Sequence, residues 1–303
     1  MQTTWGDIPV RDAHVHFFSH GFFAALAREA GKPFDVLGKT LGWDMPDREP
    51  EALAARWVME LDRHGVASAV LIASVHGDAS SVAAAVACFP HRFHGYFMLN
   101  PVAPDAMEHA QLALEQGLRG ICLFPAMHRY SLHDERVQPV YEMAARVPGT
   151  VVFVHCGVLT VGARARLGLP SPFDMRFSNP IDLHAVALRH PDVNFVVPHF
   201  GAGYFREALM LCAMCPNVYL DTSSSNAWMR YLPEELDLAR VLRRALDVAG
   251  PRRLLFGTDS SFFPRGWHSQ VFDDQARLLA GLGLSADDAG LVFGGNLARL
   301  MDL

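Results

Sequence analysis

Two histidines two residues apart, His14 and His16 in Val10-Arg11-Asp12-Ala13-His14-Val15-His16, stand in a segment that otherwise reads as an apolar strand. Alternate residues of a strand share a face, so both imidazoles can address one cation. Three more polar residues close apolar runs further along: His155 after Thr150-Val151-Val152-Phe153-Val154, His199 after Phe195-Val196-Val197-Pro198, and Asp259 after Leu254-Leu255-Phe256-Gly257-Thr258. Three imidazoles and a carboxylate suit a divalent first-row ion and leave it a position open to water or substrate. With His14, His16, His155 and Asp259 as ligands to one metal, zinc first and manganese second, His199 remains to take a proton from water or give one to the substrate. Asp259 can share protons with His199 as well as touch the metal. Asp12 shares the face of His14 but lies deeper, and is expected to hydrogen-bond an imidazole from behind.

These groups must be carried to one place by the fold. Eight short β-rich runs recur, at residues 10–17, 67–74, 93–100, 118–124, 150–155, 193–199, 217–221 and 253–258. Helical patterns lie between them at 51–64, 79–88, 104–116, 135–147, 181–190, 203–214, 234–249 and 270–281, with a last one near 286–301. Alternating strands and helices predict a parallel sheet, and eight units predict a closed (β/α)8 TIM barrel, one α/β domain spanning 1–303. In such barrels catalytic groups sit at the carboxyl ends of the strands, which is where all five residues fall. A long insertion between strand one and strand two, residues 17–50, carries Gly31, Pro33, Gly38, Gly42, Trp43, Pro46 and Pro50. At the catalytic rim it reads as a lid or substrate wall, or equally as a stabilising or dimer-forming flap.

For a single histidine among 15, a surface or core role is the ordinary reading, and His64, His91, His94, His109 and His190 are given no other. Five strand-end groups together are not ordinary. The 303 residues are 50% hydrophobic and 19% charged, enough apolar material for a large core. Net charge is −6 with no basic stripe, which argues against nucleic acid or an anionic membrane and for a small-molecule partner. No apolar run has the length to span a bilayer and no leader pattern opens the chain, so a cytoplasmic location is expected. Five scattered cysteines do not form a disulfide framework, and Cys212 and Cys215, a C-x-x-C pair late in a helical run, read as buried packing. Lysine occurs only as Lys32 and Lys39, inside the insertion. A carbamylated lysine bridging two metals would need to end strand four, where Ile121-Cys122-Leu123-Phe124-Pro125 stands, so one metal is predicted and Schiff-base chemistry is excluded.

The motifs resemble the amidohydrolase superfamily, within it the mononuclear branch containing aminocarboxymuconate-semialdehyde decarboxylase, related aromatic-acid decarboxylases and several lactone hydrolases. The resemblance runs nearly end to end, through Asp12-Ala13-His14-Val15-His16, Phe153-Val154-His155-Cys156-Gly157, Val196-Val197-Pro198-His199-Phe200-Gly201, Asn217-Val218-Tyr219-Leu220-Asp221-Thr222-Ser223, Leu255-Phe256-Gly257-Thr258-Asp259-Ser260 and the closing Gly294-Gly295-Asn296-Leu297-Ala298-Arg299-Leu300. It implies metal ligation by His14, His16, His155 and Asp259, an acid or base at His199, and a homodimer. The chain departs from the pattern at Phe124, where many relatives carry a polar residue, often His.

Hydrolysis of a lactone, ester or amide needs only these five groups. Non-oxidative decarboxylation of an aromatic or unsaturated acid needs, besides a proton donor, a cationic clamp for the carboxylate, and arginine's planar fork suits that. Arg129, Arg164, Arg166, Arg176, Arg206, Arg230 and Arg265 follow strands four to eight. Arg265, just beyond Asp259, is the first choice for substrate binding and Arg206 the second. Trp43, Phe124 and the aromatic residues around them suit a flat or cyclic ligand. A non-catalytic metal-binding scaffold is the third reading, and nothing in the chain favours it.

Overall fold

The computed structural model describes every residue except Ser225, Glu234 and Leu303. Eight parallel barrel strands follow the sequence pattern: β1 Arg11–Phe17, β2 Ser68–Ala73, β3 Phe93–Leu99, β4 Gly120–Leu123, β5 Val151–Val154, β6 Asn194–Val197, β7 Val218–Asp221 and β8 Leu254–Leu255. Each pairs with the next in order. The ring closes through backbone bonds beyond β8, where Ala13 N donates to Phe256 O at 2.8 Å, His16 N to Ser260 O at 2.7 Å and Asp259 N to His14 O at 3.0 Å. All six residues of β2, Ser-Ala-Val-Leu-Ile-Ala, are buried, as a parallel strand covered on both faces requires. Helices cover the outside with one apolar stripe each. In Leu238–Ala249 that stripe is Val241, Leu242, Ala245 and Ala249.

Two apolar layers result. One lies between strands and helices; the other fills the barrel interior with Val70, Ile72, Tyr96, Met98, Phe153 and Val196. Between β1 and the helix Pro50–His64 stand two further helices, α1 His20–Ala30 and α2 Phe34–Leu41. Ser19 caps α1 by accepting from Phe22 N, and its hydroxyl donates to Asp78 at 2.5 Å, which ties the segment to the loop after β2. Phe22, Phe23, Leu26, Leu37 and Leu41 pack with Ala163 and Leu167 from the loop after β5. The Arg164–Glu29 ion pair and the Arg166 bond to Leu41 O join the same two segments at the rim.

Among the described residues, the helical pattern near 181–190 begins as a 3-10 turn, Pro180–Leu183, before His184–Arg189. Asn179 caps that turn by accepting from Ile181 N. The pattern near 286–301 is divided by a π-helical turn at Leu291–Gly295. No helix of the described residues is long and apolar enough to cross a membrane.

Candidate metal centre and active site

The pairing of β1 with β2 slips between Asp12 and Val15, so β1 carries a bulge just below the histidines. Asp12, fully buried beneath it, does not reach an imidazole, which corrects the expectation from spacing. Its carboxylate accepts from the backbone N of His14 (2.9 Å) and of Thr258 (3.0 Å), from the Thr258 hydroxyl (2.5 Å) and from Trp267 Nε1 (2.7 Å). Burial pushes its pKa up to about 6 even against these four hydrogen bonds. Asp12 therefore fastens β1 to the segment after β8 and sets His14 against Asp259.

Each histidine of the pair has one ring nitrogen tied down. His14 Nδ1 lies 2.6 Å from Asp221 Oδ2 at the end of β7, and His16 Nδ1 lies 2.7 Å from the Ser74 hydroxyl. That hydroxyl donates to Ile72 O, so it accepts from His16. A carboxylate likewise only accepts, so both Nδ1 atoms carry the hydrogen and both Nε2 atoms present lone pairs. The two Nε2 atoms are 3.3 Å apart, and Asp259 Oδ1 lies 3.2 Å from that of His16 and 3.7 Å from that of His14. Three electron-pair donors facing one point repel one another unless a cation lies among them, and all lie within 4.8 Å. The donor set of two nitrogens and a carboxylate oxygen fits a divalent ion. Sequence pattern alone does not single out Asp221 or Ser74, although Asp221 lies within one of the family-like motifs.

His155, after β5, lines the same cavity, with its ring stacked on Phe124 (centroids 5.4 Å) and its buried Nδ1 without a hydrogen-bond partner among the described residues. Its ligand atoms fall outside the 4.8 Å spacing that joins the other three. His199, after β6, lies with its ring centroid 5.1 Å from that of His14 and 5.5 Å from that of His155, and its Nδ1 is 2.9 Å from the Ser223 hydroxyl. The backbone turns sharply here: His199, Phe200 and Ala202 have φ of 55°, 53° and 44°, and Asp259 has 58°. Left-handed backbone at a non-glycine residue costs about 1–3 kcal/mol, and here it bends both strand ends over the barrel mouth. Two glycines permit the crowding. A Cβ on Gly257 would lie 2.8 Å from both Asp221 Oδ1 and His14 Cβ, and one on Gly157 would lie 2.2 Å from Gly201 O.

The electrostatics separate the four imidazoles. Burial lowers the pKa of His14, but the carboxylates around it, Asp221 first and then Asp259 and Asp12, together outweigh it and the net shift is upward. Burial dominates at His16 and His199, which shift down, and at His155, which falls well below the usual range. Burial alone would raise Asp259; the imidazoles of His16, His14 and His199, where they carry a second proton, hold it below the usual carboxylate range instead. Neutral imidazoles and an ionised carboxylate are the forms that ligate.

A cavity of about 450 Å³ opens over these groups. Phe124 and Trp43 line it as expected from the sequence, Trp43 stacked on Phe262 at 4.1 Å and 11°. Phe18 and Phe22 of the rim segment, stacked at 4.0 Å, add a second flat wall. Arg265 lines it too, its guanidinium 4.6 Å from the Phe262 ring and bonded to Asp259 O and the Ser261 hydroxyl. Arg206 does not. Its side chain is 83% exposed and paired with Glu207, because in Phe205–Met214 the buried residue is Phe205 and the next side chain points about 100° away. Arg230, the candidate after β7, does line the cavity, and Arg129, Arg164, Arg166 and Arg176 are bonded elsewhere.

At a centre whose donors fit a divalent ion, Asp221→Asn should weaken binding of such an ion about 10- to 100-fold, because the amide can offer its NH2 to His14 and leave that ring without its fixed orientation. Calorimetric titration of the metal-stripped protein reads this directly, and unchanged affinity would remove Asp221 from the site.

Comparison with known proteins gives the arrangement its relatives. Over 87 residues the chain is 37% identical to the protein fluG of Emericella nidulans, an alignment covering 29% of this chain and 10% of that one. An uncharacterized TIM-barrel protein of Bordetella bronchiseptica superimposes with a TM-score of 0.65 at 21% identity, covering 97% of this chain and 98% of the other. A probable 2-pyrone-4,6-dicarboxylic acid hydrolase of Acinetobacter baumannii, solved with citric acid bound, gives 0.63 at 14% identity over 98% and 100%. An amidohydrolase of Burkholderia multivorans with bound zinc gives 0.57 at 20% identity over 97% and 99%. These likenesses show the barrel. The family model described as amidohydrolase matches residues 11–303, every strand-end group included, and the chain belongs to that family.

Proposed function

We propose that this protein is a metal-dependent hydrolase that opens a small, cyclic, carboxylate-bearing ester or lactone. The observation that supports this most is the convergence of His14 Nε2, His16 Nε2 and Asp259 Oδ1 at the floor of a cavity whose walls are aromatic. One divalent ion held by these three, with His155 beside them, would polarise a carbonyl oxygen and acidify a water, and zinc is the first choice with manganese second.

The chain's own residues supply the rest. His199 stands beside the ligands and lines the cavity, where an imidazole can meet a reacting oxygen of water or substrate. Phe153 packs edge-on beneath His14 at 5.3 Å, which excludes water from below and strengthens every charge interaction above. Trp43, Phe262 and Phe124 suit the faces of a flat ring. Arg265 is held by its own hydrogen bonds at the wall, and a planar fork so fixed pairs well with a carboxylate. A relative with this fold holds citric acid, a polycarboxylate, in its crystal structure.

Decarboxylation of an unsaturated or aromatic acid would use the same clamp and the same metal. The product separates the two. Metal-stripped protein, restored with zinc or manganese, would be given lactones, among them pyrone carboxylates, and enoic and aromatic acids. Acid release that chelation abolishes and zinc restores is the expected result; carbon dioxide release, or turnover indifferent to chelator, would overturn the proposal.

A further inference from the structure

Ser223 is fully buried and its hydroxyl stands between two ring nitrogens, 3.1 Å from His14 Nδ1 and 2.9 Å from His199 Nδ1. One hydroxyl carries one hydrogen, so the two neighbours cannot both receive it. The nitrogen of His14 already carries a hydrogen, given at 2.6 Å to Asp221 Oδ2, and has no lone pair to offer. Asp221 is itself held in place, with its other oxygen accepting from Ser223 N at 2.7 Å. Were the hydroxyl to accept from both rings, its own hydrogen would be left buried and unbonded, so the favoured arrangement sends the Ser223 hydrogen to the lone pair of His199 Nδ1. In a neutral imidazole the ring hydrogen then sits on Nε2, the nitrogen on the side away from Ser223.

We infer that Ser223 is a positioning residue that fixes His199 as the Nε2–H tautomer, so that His199 meets the substrate as a hydrogen-bond donor rather than as a base. A donor aimed at a reacting oxygen stabilises the negative charge that develops there, without itself parting with the hydrogen. The chain order explains how the device is built. Asp221 and Ser223 lie two apart at the end of β7, Asp221 selecting the tautomer of His14 and Ser223 that of His199. Between them Thr222 is locked by Gln275, which accepts from its hydroxyl and donates to its carbonyl, both at 2.7 Å. Both are fully buried, so the pair of selectors is rigid.

The donor role rests on the hydrolase reading above; the tautomer does not. Both can be read in the zinc-loaded protein labelled with 15N at histidine, the His199 signals being those missing from His199→Asn. Long-range 15N–1H correlations tell which ring nitrogen bears the hydrogen, with no substrate present. Wild type should show it on Nε2 of His199; a hydrogen on Nδ1 overturns the inference whatever any variant does. In Ser223→Ala the Nε2–H preference should be lost, kcat should fall about tenfold with KM and zinc content held, and an unchanged tautomer would equally overturn it. Wild-type protein that shows the Nε2–H pattern but hydrolyses no ester or lactone would leave the tautomer standing and remove only the hydrolase reading.

Discussion

Asp259→Ala is expected to abolish turnover and to strip the site of most of its metal. The carboxylate lies 3.2 Å from His16 Nε2 and 3.7 Å from His14 Nε2, and it is the one anionic member of the three-donor group. Removing it leaves two neutral imidazoles, whose lone pairs attract a dication far less than a formal negative charge does. The loss of metal affinity should exceed the about 10- to 100-fold that follows from losing an outer hydrogen-bond partner, since a direct ligand goes. Metal content after gel filtration, beside activity at saturating zinc, reads both effects. A variant that keeps its metal and its turnover would take Asp259 out of the site. Alanine tolerates the left-handed backbone of position 259, φ 58°, less well than aspartate, so the variant should be somewhat less stable but still fold, because the bonds that carry the backbone here, Asp259 N to His14 O and Thr258 N to Asp12, do not involve the lost side chain.

Much of the centre is legible in the sequence because of where its members stand. Strand ends are where apolar runs stop, and a side chain that can ligate is conspicuous there. His14, His16, His155, His199 and Asp259 each terminate such a run, and the barrel brings them to one mouth although up to 245 positions separate them in the chain. The partners of these residues carry a weaker signal. Asp221 ends a strand whose pattern, Val-Tyr-Leu-Asp, is ordinary, and its role arises only from a contact across 207 residues. Ser74 and Ser223 are short hydroxyl side chains that local periodicity treats as ordinary loop residues.

The two misplacements have physical causes as well. Asp12 follows the period-two rule onto the face of His14, but the bulge in β1 and the proximity of Thr258 and Trp267 offer four donors closer than any imidazole. Arg206 begins a helix whose inward face is decided by Phe205, and position after a strand does not say which way a helix is rotated. Arg265, by contrast, follows Asp259 in a loop that folds back onto the Asp259 carbonyl, so nearness in sequence became nearness in space.

His199→Asn should separate chemistry from metal binding. Asparagine reproduces the Cβ–Cγ–Nδ1 half of the histidine, so it can keep a hydrogen bond to Ser223 at 2.9 Å while the Nε2 atom disappears. It also accepts the left-handed backbone of position 199, φ 55°, better than most residues, so the turn after β6 should persist. What goes is Nε2, the ring nitrogen that Ser223 does not hold, on a side chain that lines the cavity. Loss of a single positioned donor or proton-transfer group lowers kcat by about 10²- to 10³-fold. Zinc content should stay at the wild-type value, since the three donors that converge are His14, His16 and Asp259. Steady-state kinetics on any substrate found to turn over, with metal analysis of the same preparation, tests the division. Collapse of the metal content would make His199 a ligand, and the pairing of a rigid metal grip with a separate imidazole would have to be abandoned.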